Sequence, residues 1–406
     1  MKKIKQMMLF LALAGCTQPI YAQKQPKYAL DKTFIDQQLA KSAEQIKTLA
    51  AVTPVDKFPQ TFRDGKNVFS SSSWWCSGFY PGTLLLLSEA NQDPSLLKLA
   101  QEKLKYLEKE QFNKGTHDLG FMLYCSFGNA LRLTKDTAQY KPILLNGAAS
   151  LASRFSPKTQ VIRSWDHGPW KYPVIIDNMM NLEFLTESSK LSGDQKYYDI
   201  AVTHADKTLK NHFRKDFSSY HVIDYDPNTG EVHAKKTHQG AFDESAWSRG
   251  QGWALYGFTM MYRETKKKPY LKRAQEVANY ILSNPNLPKD FIPYWDFDKD
   301  KISSDNKMYK NKDLRDASAA ALYASAFIEL AEYSKPKQAK RYLQAAETII
   351  KNLSSDAYFA KKGENGGFLL KHSVGALPLN SEVDVPLSYA DYYYVEALLR
   401  YKELLK

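Results

Sequence analysis

The sequence predicts an all-α protein, an (α/α)6 barrel of six inner helices sheathed by six outer ones. Three observations predict it. Twelve segments carry helical apolar spacing, they alternate between amphipathic and apolar all round, and the long connections precede the apolar ones. A helix apolar on every side has no face for water and must be buried. Six buried helices alternating with six surface helices close into a double ring.

In chain order the helices run near 33–51, 78–91, 94–109, 120–134, 138–155, 177–192, 194–213, 244–265, 268–283, 315–334, 336–353 and 387–405. The odd-numbered ones are amphipathic. In the third, Leu96, Ala100, Leu104 and Leu107 share a face, with Lys98, Glu102, Lys103, Lys105 and Glu108 elsewhere. Of the even-numbered ones, Phe121 to Leu131 in the fourth and Ala317 to Leu322 in the tenth are apolar or small nearly all round. Long connections at 51–78, 155–177, 213–244, 283–315 and 353–387 lead into inner helices. Short ones at 91–94, 134–138, 192–194 and 265–268 follow them. The long loops therefore gather at the end where inner helices begin, and binding residues concentrate on such loops. A superhelical array of helix pairs needs a regular repeat and consensus, and neither recurs. No linker rich in Pro, Gly or Ser interrupts the chain, so residues 23–406 read as one domain.

The first 22 residues read as a targeting segment: Lys2, Lys3 and Lys5 precede an apolar core from Met7 to Ala14, too short to span a membrane. Leu13-Ala14-Gly15-Cys16 has the form of a bacterial lipobox that would leave Cys16 lipidated, and Tyr21-Ala22 before Gln23 offers an ordinary signal-peptidase site. Either outcome sends the protein to the periplasm or its bounding membranes, with a lipid anchor as the one membrane attachment. Losing this segment removes three lysines and no acids, lowering the formal net charge from +12 to +9. Such a charge suits anionic polysaccharide, nucleic acid or membrane, although for charge alone a lysine-rich solvated surface is the better reading. Cys76 and Cys125 sit among aromatic residues and read as buried free thiols.

One chemical theme precedes the inner helices. Ser73-Trp74-Trp75 leads the second, His117-Asp118 the fourth, and Ser164-Trp165-Asp166-His167 with Asp177-Asn178 the sixth. His221, His238-Gln239, Trp247, Arg249, Gln251 and Trp253 surround the start of the eighth. Tyr294 to Asp298 and Arg315-Asp316 lead the tenth, and Ser388 to Tyr392 begins the last. Rings stack on pyranose faces, amides and imidazoles bond hydroxyls, and an arginine fork holds a carboxylate or sulfate. This is the composition of a sugar site.

Two aspartates stand out within it: Asp118 in Thr116-His117-Asp118-Leu119-Gly120-Phe121, and Asp177 in Ile175-Ile176-Asp177-Asn178-Met179-Met180-Asn181. A carboxylate between apolar neighbours tends toward a raised pKa, as a general acid near neutral pH requires. Each alone is more simply an N-cap, and a lone Trp247 or Trp253 more simply core. Their convergence favours function. Asp296, Asp298 and Asp300 imitate an EF-hand start, but Lys301 replaces its glycine and Lys307 its closing glutamate. No HExxH, paired Cys/His spacing, GxSxG elbow, P-loop or dinucleotide fingerprint occurs, so no metal, cofactor or nucleic-acid partner is expected.

At His117 to Phe121, Ile176 to Asn181, Trp247-Ser248-Arg249-Gly250-Gln251-Gly252-Trp253, Arg315 to Ala320 and Tyr389 to Tyr393, the chain resembles the unsaturated glucuronyl hydrolases, glycoside hydrolase family 88. The resemblance covers essentially the whole mature chain and implies the same barrel. It implies removal of the 4,5-unsaturated uronic acid that polysaccharide lyases leave at the non-reducing end of oligosaccharides, without metal or cofactor. It further implies Asp177 as general acid/base, Asp118 as its essential companion, and His221, Gln239, Trp247, Arg249 and Trp253 in the pocket. His117, Trp165 and Trp74 or Trp75, of which Trp75 is preferred, join them. Lys371, His372, Ser373 and the lysine-rich stretch Lys299 to Lys312 are candidates for meeting sulfate on glycosaminoglycan fragments from heparin, heparan or chondroitin. An unsaturated rhamnogalacturonyl hydrolase is the near alternative. A non-catalytic periplasmic carbohydrate-binding protein is the distant one, and it would have no use for two half-buried carboxylates.

Overall fold

The computed structural model describes residues 28–406, so the expected leader over 1–22 and both of its processing points lie outside the described residues. Twelve helices follow: α1 (Lys32–Val52), α2 (Phe79–Asn91), α3 (Pro94–Leu107), α4 (π-helical over Gly120–Gly128, then α-helical over Asn129–Thr134), α5 (Thr137–Ala152) and α6 (Leu182–Ser192, led by a 3-10 segment Ile176–Asn181). Then come α7 (Gln195–Asn211), α8 (Ser248–Thr265), α9 (Lys268–Ser283), α10 (Ala317–Glu332), α11 (Pro336–Leu353) and α12 (Ser388–Leu404).

Local chemistry starts the outer helices. Asp31, Asp93, Asp136 and Asp194 accept backbone N–H groups in the first turns of α1, α3, α5 and α7. Proline in the first turn serves α9 and α11, where its missing N–H costs nothing. Inner helices differ: α2, α4, α6, α8 and α12 begin without a side-chain cap. Their positive dipole ends face the mouth, an arrangement favourable to an anion.

The inner helices pack side by side from α2 through α4, α6, α8 and α10 to α12, which closes back on α2. The seam is tied at both chain ends: the Leu30 N–H donates to the Tyr401 hydroxyl at 3.3 Å and the Ala29 N–H to Glu347 at 2.8 Å. Where backbones approach most closely, glycine is required. A Cβ on Gly257 would lie 2.5 Å from Met179 Cβ, and one on Gly120 would lie 2.7 Å from Asn181 Cα. Gly120→Ala should therefore force α4 from α6 at a cost of about 1–3 kcal/mol, read as a lower denaturant midpoint at unchanged slope.

The long connections hold small antiparallel sheets that period-based reading does not register. β1 (Phe58–Arg63) and β2 (Lys66–Ser70) form a hairpin, as do β3 (Phe155–Ser156) and β4 (Val161–Ile162). β5 (Pro173–Ile175), β6 (Val222–Tyr225) and β7 (Val232–Lys236) make a three-stranded sheet, and β8 (Ser373–Ala376) pairs with β9 (Ser381–Val385). Strands of two to six residues are too short for a two-residue alternation to show. All four sheets stand in loops that lead into inner helices.

Candidate active site

The register of β5 on β6 sets Ile175 opposite Val222, which delivers the next residues, Ile176-Asp177, beside His221. The Ile176 N–H donates to the His221 carbonyl at 3.0 Å, and Asn178 Nδ2 donates to the Ile162 carbonyl at 2.8 Å. Asp177 is thereby held in a tight turn, 8% exposed. Its Oδ2 has no hydrogen-bond partner among the described residues. Burial pushes its pKa up to about 7; the Arg249 charge opposes the rise and the Asp118 charge adds to it. At neutral pH this carboxyl still carries a proton in a large share of molecules.

His221 is fixed as a neutral donor. Its Nδ1 accepts the backbone N–H groups of His238 at 3.0 Å and Gln239 at 3.1 Å, so the ring proton resides on Nε2. Burial, followed by the charges of His238 and Arg249, holds its pKa well below the ordinary histidine value. That Nε2 faces Asp177 Oδ2 at 3.9 Å, too far for a direct bond and close enough to share one small group.

Asp118 arrives from the start of α4. Thr116 Oγ1 donates to its Oδ2 at 2.8 Å, and His117 Nε2 lies 3.2 Å from its Oδ1 without alignment for a hydrogen bond. Burial keeps His117 below the ordinary histidine value, although the Asp118 charge works against this. Asn181 Oδ1 accepts from the Gly120 and Phe121 N–H groups at 2.8 and 3.2 Å, locking the segment of Asp118 to that of Asp177. Asp118 lies near enough for its charge to raise the Asp177 pKa, and it is only partly buried.

The aromatic residues divide into two sets. Trp165 and Trp75 are partly exposed. Trp165 lies 5.1 Å from the His238 ring and 6.0 Å from that of His221, while Trp75 packs on Phe121 and Tyr389. Gln239 is also partly exposed, its Nε2 donating to the Gly375 carbonyl at 3.2 Å. Trp253 and Trp247, expected in the pocket, are 0% and 2% exposed and offer no open face for a sugar. Their positions are lining ones. The Trp253 indole N–H favours ionised Asp177 at a geometry short of an ordinary hydrogen bond, and Trp247 packs 4.7 Å from the His221 ring.

Arg249 also differs from expectation. Its fork is not free for a substrate carboxylate: Nη1 donates to the Val374 carbonyl and Nη2 to the Gly375 carbonyl, both at 2.6 Å, and Asp316 sits 3.1 Å from Nη1. The guanidinium lies over Trp247 and Tyr389, leaving only Nε unpartnered. A buried cation must be satisfied, and this one is satisfied by hanging the β8–β9 hairpin on α8. Arg249→Lys should keep the charge and lose the fork, costing about 1.5–3 kcal/mol. Limited proteolysis would then cut within 373–385 sooner than in wild type.

Asp316 and Tyr389 were legible as members of two motifs but without a role, and Glu382 was missed. Glu382 is buried in the hairpin, accepts from Gln60 at 2.8 Å and has a raised pKa from burial. The calcium-like Asp296 braces a loop instead, accepting from Ala241 N–H, Ser245 Oγ and Asp298 N–H. No group of three His, Cys, Asp or Glu suited to a metal ion occurs among the described residues.

A barrel whose mouth combines a buried protonatable aspartate, a second carboxylate, a neutral imidazole donor and accessible indoles defines a carbohydrate-active hydrolase. The profile of Glycosyl Hydrolase Family 88 matches residues 51–403. The chain is 45% identical over 333 residues to an unsaturated glucuronyl hydrolase of Formosa agariphila, covering 82% of this chain and 80% of that one. It is 30% identical over 392 residues to an unsaturated chondroitin disaccharide hydrolase of Streptococcus pyogenes, covering 93% and 95%. The crystal structure of an unsaturated glucuronyl hydrolase specific for heparin superposes with a TM-score of 0.86 at 47% identity, covering 92% of this chain and 99% of the other. The chain belongs to glycosyl hydrolase family 88.

Proposed function

We propose that the protein removes the 4,5-unsaturated uronic acid from the non-reducing end of lyase-generated glycosaminoglycan fragments, by hydrating the C4=C5 vinyl ether. The observation that carries the mechanism is Asp177, buried, with a pKa near 7 and an unpartnered Oδ2 beside a neutral imidazole N–H. The protonated carboxyl delivers its proton to C4, and positive charge develops at C5 and the ring oxygen. Water adds at C5 and gives its proton to the Asp177 carboxylate, restoring the acid. The C5 hemiketal then opens: the C5–O5 bond breaks to a ketone, O5 becomes the C1 hydroxyl, and C1 expels the rest of the sugar. Ordinary glycosidases place both carboxylates at the anomeric carbon, a different geometry.

Sulfated fragments are the favoured substrates, supported by the formal charge of +9 that remains without the leader and by the position of the lysine-rich stretch. Lys307 Nζ donates to the Pro378 carbonyl at 2.7 Å, joining that stretch to the β8–β9 hairpin. The likeness to a heparin-specific enzyme points the same way. The leader supports a periplasmic location, with Cys16 as the lipidation point if the lipobox is used.

Incubation with a panel of unsaturated disaccharides of defined sulfation, followed by loss of alkene ultraviolet absorbance, tests the substrate. Consumption of unsaturated rhamnogalacturonyl substrate alone would redirect the assignment, and binding without consumption would favour a capture protein. The pH profile tests the acid. Because Asp177 acts protonated, kcat/KM should be high below about 7 and fall as pH rises through that value.

A further inference from the structure

One outer helix reaches toward the catalytic turn. The inward face of α7 holds Tyr197, Ala201 and Ala205, as an amphipathic helix requires, but His204 stands among them and is 0% exposed. Its Nδ1 accepts the Ile162 N–H at 3.0 Å, so the ring proton resides on Nε2. Burial, then the neighbouring His212 and His117, push its pKa down to about 3, and at neutral pH the ring is an uncharged acceptor. A leucine would fill this place without burying an imidazole, but it would leave the Ile162 N–H without a partner.

Ile162 ends the β3–β4 hairpin, whose ladder is two residue pairs long: Phe155 with Ile162 and Ser156 with Val161. So short a ladder does not fix its own place. The carbonyl of the same Ile162 accepts Asn178 Nδ2 at 2.8 Å, and Asn178 follows Asp177 in the chain. The imidazole thus grips Ile162, Ile162 grips Asn178, and Asn178 carries the acid. The segment beyond is held by other means. Arg154 donates to the carbonyls of Arg163 and Ser164 and to the Asp166 carboxylate, so Trp165 keeps its place without His204. The second tie of the turn, from the Ile176 N–H to the His221 carbonyl, is likewise independent.

We propose that His204 is a positioning residue of the reaction, which holds the buried turn of Asp177 closed through Ile162 and Asn178. It touches no substrate, and its role presumes that Asp177 is the acid. The Asp177 proton is retained chiefly by burial, so a turn loosened enough to admit water both misplaces the acid and weakens its hold on the proton. Substitution at 204 leaves the groups that face Asp177 in place: Arg249 on α8, Asp118 before α4 and His221 before β6. His212 and His117, which face His204 itself, are also unchanged.

Steady-state kinetics of the intact protein on an unsaturated disaccharide across pH, with a thermal melt of each variant, test the role. His204→Leu removes the acceptor, whereas His204→Asn puts an amide oxygen where Nδ1 stands. In His204→Leu, kcat should fall about 10–100-fold with KM held within about twofold. The alkaline limb of kcat/KM should move below its wild-type position near 7. His204→Asn should restore kcat to within about threefold of wild type and return the limb. Asn178→Ala breaks the next link, so adding His204→Leu to it should cost no further activity. If His204→Leu does not fold, His204→Gln replaces it: its longer chain carries the amide past the Nδ1 position, so it should lose kcat where Asn keeps it. Variants that melt earlier with kcat and limb unmoved, equal losses in the Asn variant and in Leu or Gln, or additive losses with Asn178→Ala would overturn the role alone. A wild type that consumes no double bond would overturn the reading of Asp177 and this role with it.

Discussion

Asp177→Asn should abolish most turnover while leaving a folded protein that still binds substrate. Asparagine is nearly isosteric and can keep the turn that Ile176 and Asn178 hold in place. It cannot deliver a proton to C4. General acid catalysis contributes about 10²–10⁴-fold, so kcat should fall at least that far. Affinity should hold or rise, because no negative charge can then form beside the uronate. Stability should not drop, since replacing a buried ionisable group by a neutral one removes a desolvation cost. Absorbance decay on an unsaturated disaccharide and a thermal melt together check these statements. Near-normal turnover would reduce Asp177 to a helix-start residue with no chemical part.

Asp118→Asn should be the second most damaging change, and it should leave a distinct trace. The Asp118 charge helps hold the Asp177 proton. Removing it lowers the Asp177 pKa, so the alkaline limb of kcat/KM should move to lower pH while kcat falls by about 10²-fold. Thr116 and the Asn181 clamp on α4 remain, so the segment should keep its place. A purely structural residue would lower stability without moving the limb. An unmoved limb would therefore show that the two carboxylates do not sense each other.

The ring of helices was legible because burial writes itself into composition: stretches such as Phe121 to Leu131 have no polar face to turn to water. Loop lengths marked one end of the ring as the mouth, and apolar neighbours singled out Asp118 and Asp177 as candidates there. What escaped was settled by contacts between distant segments. The Arg249 fork meets two carbonyls 125 and 126 residues away, and no local pattern announces an arginine that serves a hairpin. The sheets escaped through brevity, although one local signal existed. Asp64 and Gly65, both with positive φ, make the two-residue turn between Arg63 and Lys66. The 3-10 start of α6 was read as ordinary helix, because a turn tightened to aim one carboxylate has the same residues as a helix that caps itself.

The seam between the two chain ends bears on how the enzyme comes into being. The contact of Leu30 with Tyr401 spans 371 residues, and the hairpin that Arg249 carries lies just before the final helix. Closing so long a loop is entropically costly and slow, and it needs α12 as well as the start of α1. Until then the inner helices have apolar sides without partners, a state that invites aggregation. The catalytic mouth has no partial form. The mouth is complete only when α12 and the hairpin before it have docked.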